Sequence, residues 1–411
     1  MTGIMVDGYS SGRFLAKNLI DAGVDLIHVQ SNIEVPRPWR DGFNERIYRR
    51  NIVFTSENAL RVDLANERIE FVLPGSESGV LLAECVGRLF NVRANATATS
   101  KLRRNKAEMM RALRRFGIPA VEEIVISRNS DFPDVPSHWF PVVVKPAESA
   151  AGDDLRICEN LEQAKNGVAH ILGKANIFGI DNQEVVLQRK LLGKQYMVNA
   201  ISKDGVHKII EIWMEERIHT PEGYSIYDRE ILVASNFAES SVIQDYVKRV
   251  LTALEVGYGP THTELFFTKD GPILLETAAR IQGGIDGKAS EFALGYSHLS
   301  CVQSLITKPG WFESELSESY APRANLVLVN LISQQEGIVR RLNLEGTVAR
   351  LPSFHSSFGV PTEGMKIHKT INLLTKPGHV YLASPDVAQI HADYAAIRGY
   401  EKLGQIFELQ S

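Results

Sequence analysis

THTELFFTKDGPILLETAAR, residues 261–280, is the stretch that decides how this 411-residue chain reads. Its flanks, residues 263–268 and 272–277, are rich in β-formers and meet at Lys269-Asp270-Gly271, which is the pattern of a hairpin. A three-residue loop over 269–271 sets Thr268 against Pro272 and, counting outward, Glu264 against Glu276. Two carboxylates then share one face. At about 5 Å their repulsion costs about 1 kcal/mol in water and about 3 kcal/mol at an effective dielectric of about 20. A hard divalent cation held by carboxylate oxygens would offset it. Two other readings stay open on these residues alone. Both glutamates could face solvent, or a two-residue Asp270-Gly271 turn could slip the register by one and send them to opposite faces.

Working outward, 411 residues are too many for one compact core, so two or three domains are expected. Apolar content of 44% and charged content of 23% describe an ordinary globular protein, and a formal net charge of -4 gives no electrostatic case for nucleic acid or an anionic membrane. Cys85, Cys158 and Cys301 are odd in number and far apart, which argues against a disulfide framework or a zinc site. With no signal-peptide pattern and no long apolar run, a reducing cytoplasm is the expected location.

Residues 3–30 read as strand, Gly/Ser loop, amphipathic helix, strand, and IEFVLPG followed by VLLAECVGRLF continues the alternation. Residues 1–95 are therefore expected to form a parallel α/β domain of βαβ units. Its Gly8-Tyr9-Ser10-Ser11-Gly12 loop is either a ligand-receiving turn at a strand end or a plain tight turn. A second, α+β unit spans 96–318, with a small lobe over about 115–192, and a β-rich C-terminal subdomain covers 319–411. In that last unit NLVLVNLI, GTVARLPS, KIHKTINLLTK and HVYLAS read as strands ahead of an amphipathic helix.

Lys145 ends the apolar run PVVVK and precedes AESAAGDD, a small-residue loop that includes Ser149 and Gly152. A lysine at the end of a buried strand is costly unless it meets an anion, and small residues let backbone N–H groups approach phosphates. The blander alternative is a lysine that reaches solvent. Lys106 lies in KLRRNKAEMMRALRRFG, whose many cations would ordinarily make a solvated helix face. Taken together, two lysines and two opposed glutamates are the parts of a nucleoside triphosphate site, with Arg280 adding a cation four residues beyond Glu276.

The order of these motifs resembles the ATP-grasp superfamily of carboxylate-amine ligases over nearly the whole chain. NK-AEMM comes first, then VVVKP with its small-residue loop, then VVLQRKLLGKQYMV, then the glutamate hairpin. The resemblance implies an ATP-grasp fold: a Rossmann-like pre-ATP-grasp domain, two α+β lobes enclosing ATP, and a β-rich tail that completes the large lobe. It implies ATP as cosubstrate and two Mg²⁺ ions, with Mn²⁺ an accepted substitute, on Glu264 and Glu276. Lys106, Lys145 and the loop with Ser149 and Gly152 would hold phosphates. The hinge Gln188-Arg189-Lys190-Leu191 would read the adenine edge through the backbone of Lys190 and Leu191. Gln188 and Gln195 stand where many members carry glutamates, and Ala278 stands where many carry a metal-ligating Asn.

The Ala278-Ala279-Arg280 variant is similar to the L-amino acid ligases and their relatives in peptide-antibiotic pathways. That likeness implies an enzyme joining two amino acids through an acyl phosphate, with Arg280 on the acyl phosphate and loop 147–154 closing as a lid. It also implies small-molecule amino acid partners and a homodimer. His219 reads either as part of an acceptor pocket or as a surface histidine, and Trp213 and Met214 read as core or pocket wall. The alternatives are a ligase acting on a non-standard carboxylate or amine, one acting on bicarbonate or a nucleotide precursor, and a silent nucleotide-binding protein.

Overall fold

The computed structural model describes residues 1–411 except 32, 33, 36, 151, 221–224 and 411, and leaves aside the side chains of 38 and 374. Apolar runs near the N-terminus build the buried strands β1 (Thr2–Val6), β2 (Asp25–Gln30) and β4 (Ile69–Pro74) of a parallel sheet, with β3 (Arg50–Val53) a largely exposed edge strand, in the order β3-β2-β1-β4. On one face Ile4, Val6, Ile27 and Val29 meet the helix Val80–Leu89 through Ala83 and Val86. On the other, Met5 and Leu26 lie with Leu15 and Leu19 of the helix Gly12–Asp21, and that cluster continues into Leu299 and Val302. The first helix is thereby fixed against later parts of the chain.

A second sheet is antiparallel: β5 (Glu123–Ser127), β6 (Val142–Pro146), β7 (Arg156–Cys158) and β8 (Glu184–Arg189), ordered β5-β8-β6-β7. The helix Leu161–Ile171 covers it through Ala164, Val168 and Ile171. The chain then enters a large sheet through β9 (Lys194–Lys203), β10 (Val206–His219), β11 (Ser225–Leu232), β12 (Tyr258–Thr268), β13 (Gly271–Ala278) and β14 (Asn325–Asn330). The remaining strands are β15 (Gly337–Leu342), β16 (Phe354–Phe358), β17 (Lys366–Ile367), β18 (His379–Ser384) and β19 (Phe407–Gln410). The large sheet runs β13-β12-β9-β10-β11-β14-β18-β16, so three C-terminal strands extend it, while β17-β15-β19 form a separate sheet.

Two expectations for the tail need correction. GTVARLPS forms a short 3-10 turn at Val348–Arg350 with no strand, and in KIHKTINLLTK only Lys366 and Ile367 are in a strand. The basic segment also differs from its reading as one solvated helix. A 3-10 stretch, Thr97–Arg103, breaks at Asn105, whose side chain accepts from the Glu108 N–H and starts a new helix, Lys106–Arg115. Arg103 is fully buried, with Nε 2.6 Å from Glu84 and Nη1 donating to the Leu254 carbonyl. Its charge ties elements together where a free face was expected.

The glutamate hairpin closes differently from the count made above, with the same result. Thr268 pairs with Gly271, so the turn holds two residues, Lys269 and Asp270, and Leu265 pairs with Leu274. Continued outward, that register would set Glu264 against Leu275 and leave Glu276 on the opposite face. A bulge between Glu264 and Leu265 takes up Leu275, after which Glu264 pairs with Glu276. The bulge is what brings both carboxylates to one side of the sheet.

Candidate active site

Both glutamates look into a cavity of about 1120 Å³ between the two antiparallel sheets and the N-terminal sheet, and the residues expected to hold phosphates, adenine and the acyl phosphate, from Lys106 and Lys145 to Arg280, line it as well. Glu264 makes only long contacts, 3.5 Å from His262 Nε2 and 3.4 Å from Gln195 Nε2. Glu276 places Oε2 2.8 Å from Lys106 Nζ. Burial alone would push the Glu276 carboxyl up, but Lys106, Lys145 and Arg280 outweigh it and hold it well below the usual carboxylate range. It is ionised at every working pH.

Lys106 opens its helix just past the Asn105 cap, its backbone N–H bonds the Ala147 carbonyl at 2.9 Å, and Nζ also donates to the Ser149 carbonyl at 2.9 Å. The small-residue loop is thus pinned to the same lysine that meets Glu276. Ser149 is buried and donates to Asp153 at 2.7 Å, while Gly152 sits at φ +70, where glycine is favoured. Ala151 of the expected lid, 147–154, lies outside the described residues.

Lys145 comes from β6 and is 8% exposed, yet among the described residues it has no carboxylate within ion-pair distance. Burial, followed by the charge of Lys106, lowers its pKa to about 8, with Glu276 and Glu264 pulling it back up. A buried ammonium without a counter-ion is costly. An anion in the cavity would complete it.

β8 ends at Arg189 and β9 begins at Lys194, so residues 190–193 cross from the small sheet to the large one. Lys190 and Leu191 line the cavity at that crossing, and the Lys190 N–H reaches the Pro141 carbonyl at 3.3 Å. Gln188 is buried and donates to Glu123 at 2.9 Å, and Gln195 is buried beside Glu264. Glu123, paired with Gln188 across β5 and β8, was not singled out from the sequence. Its position on a strand 65 residues upstream gives no local signal.

Arg280 leaves β13 and reaches back to the N-terminal region, where its Nε donates to Glu77 at 2.8 Å. Arg104 bonds the other oxygen of Glu77. Burial alone would raise Glu77, but Arg104 and Arg280 outweigh it and hold the carboxyl below its usual value. Glu77 is a buried clamp that fixes the guanidinium. Sequence reasoning missed it, since Glu77 and Arg280 are 203 residues apart.

A second group of charges lines the same cavity. Arg217 meets Glu215 at 2.6 Å and lies 3.9 Å over the Tyr227 ring, with Glu230 and Lys376 nearby on the cavity wall. Burial pushes Glu215 up to about 8, with Arg217 opposing and Glu264 and Glu230 adding to the rise. The alternation Glu215, Arg217, His219 along β10 carried a strand-period signal for this face. His219 is exposed at the cavity rim, next to residues 221–224, which lie outside the described residues. Met214 lines the cavity, while Trp213 packs in the core.

With the fold and site in view, residues 138–288 match the ATP-grasp domain family. The chain is similar over nearly its whole length to a dapdiamide A synthase and in fold to an L-amino acid ligase. It is 28% identical to dapdiamide A synthase of Enterobacter agglomerans over 413 residues, covering 97% of this chain and 95% of that protein. The crystal structure of an L-amino acid ligase from Bacillus licheniformis has the same fold, with a TM-score of 0.76 at 17% identity over 97% of each chain. So does carboxyaminoimidazole ribonucleotide synthase of Aspergillus clavatus, solved with ATP, with a TM-score of 0.67 at 14% identity over 98% of each chain. Among the described residues no helix is long and apolar enough to cross a membrane.

Proposed function

We propose that the protein activates the carboxylate of one amino acid with ATP and joins it to the amine of a second, releasing ADP and phosphate. The observation that carries this reading is the convergence in one cavity of a buried, unpaired lysine, Lys145, with the Glu264–Glu276 pair and the clamped Arg280. Lys145 calls for an anion, the glutamates for a cation, and Arg280 for a second anion. A nucleoside triphosphate and a carboxylate supply all three. The cavity, about 1120 Å³, exceeds the usual range for a single small ligand and has room for a nucleotide and two substrates.

The donor set fits a divalent cation. Glu264 makes no contact shorter than 3.4 Å, and only one oxygen of Glu276 meets Lys106, so carboxylate lone pairs remain. Among the described residues no three His, Cys, Asp or Glu side chains converge, so phosphate oxygens and water would complete the coordination. When bound, Mg²⁺ or Mn²⁺ would neutralise charge on the phosphates.

Lys106 and Lys145 would hold the β- and γ-phosphates, and the backbone of Lys190 and Leu191 would face the adenine. Ser149 and Gly152 would bring the loop over the phosphates. A carboxylate oxygen of the first substrate attacks the γ-phosphorus and the bond to ADP breaks, giving an acyl phosphate. The amine of the second substrate then attacks the acyl carbon, phosphate leaves, and the amine loses a proton. Arg280, locked by Glu77, would stabilise the oxyanion that exists only in flight between those states. No protein nucleophile is needed, so catalysis rests on positioning and electrostatics.

Relationship to dapdiamide A synthase over almost the full length favours a second form of the same reading, in which one partner is a non-standard carboxylate or amine. Phosphate release measured with ATP, Mg²⁺ and amino acids, singly and in pairs, tests the proposal. Release that requires two amino acids supports it, and release with no pair removes the amino acid assignment.

A further inference from the structure

Across the large sheet, directly paired residues carry one face of the cavity away from the glutamate hairpin. Gln195, beside Glu264, pairs with Glu215, Glu215 with Glu230, and Glu230 with Leu328, so the wall runs from β9 to β14 in one row. It is charged at Glu215 and Glu230 and turns apolar at Leu328. Beyond Leu328 come Phe358, His379 and Lys376, which line the cavity and which the reaction above leaves without a role.

The same pocket is reached from Arg280. Gly283 and Gly284 follow it in the chain and line the cavity, and the four residues from Arg280 to Gly284 span at most about 14 Å. A Cβ on Gly283 would meet nothing within 4 Å beyond its chain neighbours, and one on Gly284 would meet only His379, at 3.8 Å. Bare backbone therefore leaves open space between the guanidinium and the far wall. There the His379 ring stacks on Phe358, with centroids 5.8 Å apart. A side chain leaving a carboxylate held near Arg280 finds an apolar passage in this direction.

Lys376 closes that passage. It follows the 3-10 turn Leu373–Thr375, lies partly buried in the cavity wall, and donates Nζ to Asn330 Oδ1. Asn330 is buried at the end of β14, so this bond fixes the ammonium. Among the described residues Asn330 is the one hydrogen-bond partner of Lys376, and no carboxylate lies within ion-pair distance of it. Burial lowers its pKa, with Glu230 and Glu215 pulling it back up from farther away. Burial also raises both of those carboxyls, so neither supplies a full counter-charge. An ammonium has three N–H donors, and two remain at the end of an apolar pocket. Apolar walls with one placed polar group are how a site selects among ligands.

We propose that Lys376 binds the side-chain tip of the activated substrate, and that this tip is a carbonyl oxygen of a carboxylate or a carboxamide. The inference rests on the ligase reading and narrows its first substrate to acids with an acceptor-tipped side chain. The activated substrate is the one concerned, because its carboxylate must reach the glutamates and those share the sheet face that leads to Lys376. A hydrocarbon tip would leave the remaining donors desolvated and unpaired, which is the source of discrimination.

The test uses the full chain with ATP, Mg²⁺ and hydroxylamine as the amine, so that only the activated substrate varies. The hydroxylamine nitrogen attacks the acyl carbon and loses a proton, phosphate leaves, and a hydroxamate forms. Glutamine and glutamate are compared with homoleucine, and asparagine and aspartate with leucine, sets matched in shape and differing at the tip. In the set that reacts faster, the wild type should favour the acid or amide over the hydrocarbon by about tenfold or more in kcat/KM, the worth of one hydrogen bond to a charged group. Preference for the acid names a charged tip and preference for the amide a neutral one, and either supports the pocket. Lys376→Met should bring the ratio to about one through the KM of the polar substrate, with the ATP KM within about twofold of wild type. Lys376→Arg should restore part of the preference. Equal or faster use of the hydrocarbon by the wild type, or release confined to side chains without an acceptor, would overturn the pocket. A wild-type ratio in Lys376→Met would overturn it too. The wild-type comparison needs no variant to fold. Absence of phosphate release with every substrate, from hydroxylamine and from amino acid pairs alike, would instead overturn the ligase reading on which the pocket rests.

Discussion

Lys106 Nζ lies 2.8 Å from Glu276 Oε2, and the same ammonium holds the Ser149 carbonyl at 2.9 Å. One side chain therefore couples the carboxylate hairpin to the loop that would cover the phosphates. Replacing Glu276 would remove the proposed cation ligand together with the ion pair to Lys106, whose ammonium keeps its bond to the Ser149 carbonyl. Glu276→Gln should lower kcat by about a thousandfold or more, as loss of a group stabilising the transferring phosphoryl does, with an unchanged circular dichroism spectrum. Wild-type turnover in this variant would refute the assignment.

Lys145 gives a pH dependence whose sign is fixed by its burial. Its folded pKa, about 8, lies below the ordinary lysine value, so the free site loses this charge as pH rises through 8. Phosphate binding needs the charged form, and affinity for a non-hydrolysable ATP analogue should weaken by roughly fivefold between pH 8 and 9. Calorimetric titration across pH 7 to about 9.5 reads it directly. Lys145→Met should bind weakly at all pH values with a flat profile, and a slope that persists in that variant would place the titrating group elsewhere.

Glu77 touches no reacting atom in the proposed mechanism and acts through Arg280. Glu77→Gln leaves Arg104 and Arg280 without their shared carboxylate, so stability should fall by about 3 kcal/mol, the usual loss when one partner of a buried ion pair is removed. Turnover should fall by about tenfold or more with the ATP KM nearly unchanged, because the guanidinium is no longer fixed where negative charge develops. Denaturant unfolding and steady-state kinetics separate the two effects. Unchanged kcat would show that Arg280 needs no clamp.

The hairpin shows how far the sequence could be read. Opposition of Glu264 and Glu276 was legible from β-forming flanks around a Gly turn, but the turn is one residue shorter than counted, and the bulge at Leu275 compensates. A bulge depends on packing across the sheet, which no local pattern encodes. A lysine ending an apolar strand left two readings, an anion partner or reach to solvent, and the burial of Lys145 removes the second. Arg103 misled, since a cation in a basic run reads as solvated while its partners Glu84 and Leu254 lie far away in the chain. Glu77 and Glu123 were invisible for the same reason. Residues joined by long-range contacts to a site carry no periodicity of their own.

Glu215→Gln separates structural from chemical roles on the second charged wall. Burial raises the Glu215 carboxyl to about 8, so the folded protein binds a proton there that the unfolded chain releases near its ordinary carboxylate pKa. Stability should therefore decline as pH rises from about 5 to 8, and the variant should flatten that decline. Thermal unfolding across this range measures it, and an unchanged slope would show that Glu215 is already ionised beside Arg217.

Transfer of oxygen from the substrate carboxylate tests the central claim most directly. With the activated substrate labelled by ¹⁸O in its carboxylate, the acyl phosphate route places one labelled oxygen in each phosphate released, because the carboxylate oxygen that attacks ATP departs with the phosphate. Mass spectrometry of the phosphate should show that single label together with ADP. Unlabelled phosphate, or label appearing in AMP, would contradict the mechanism.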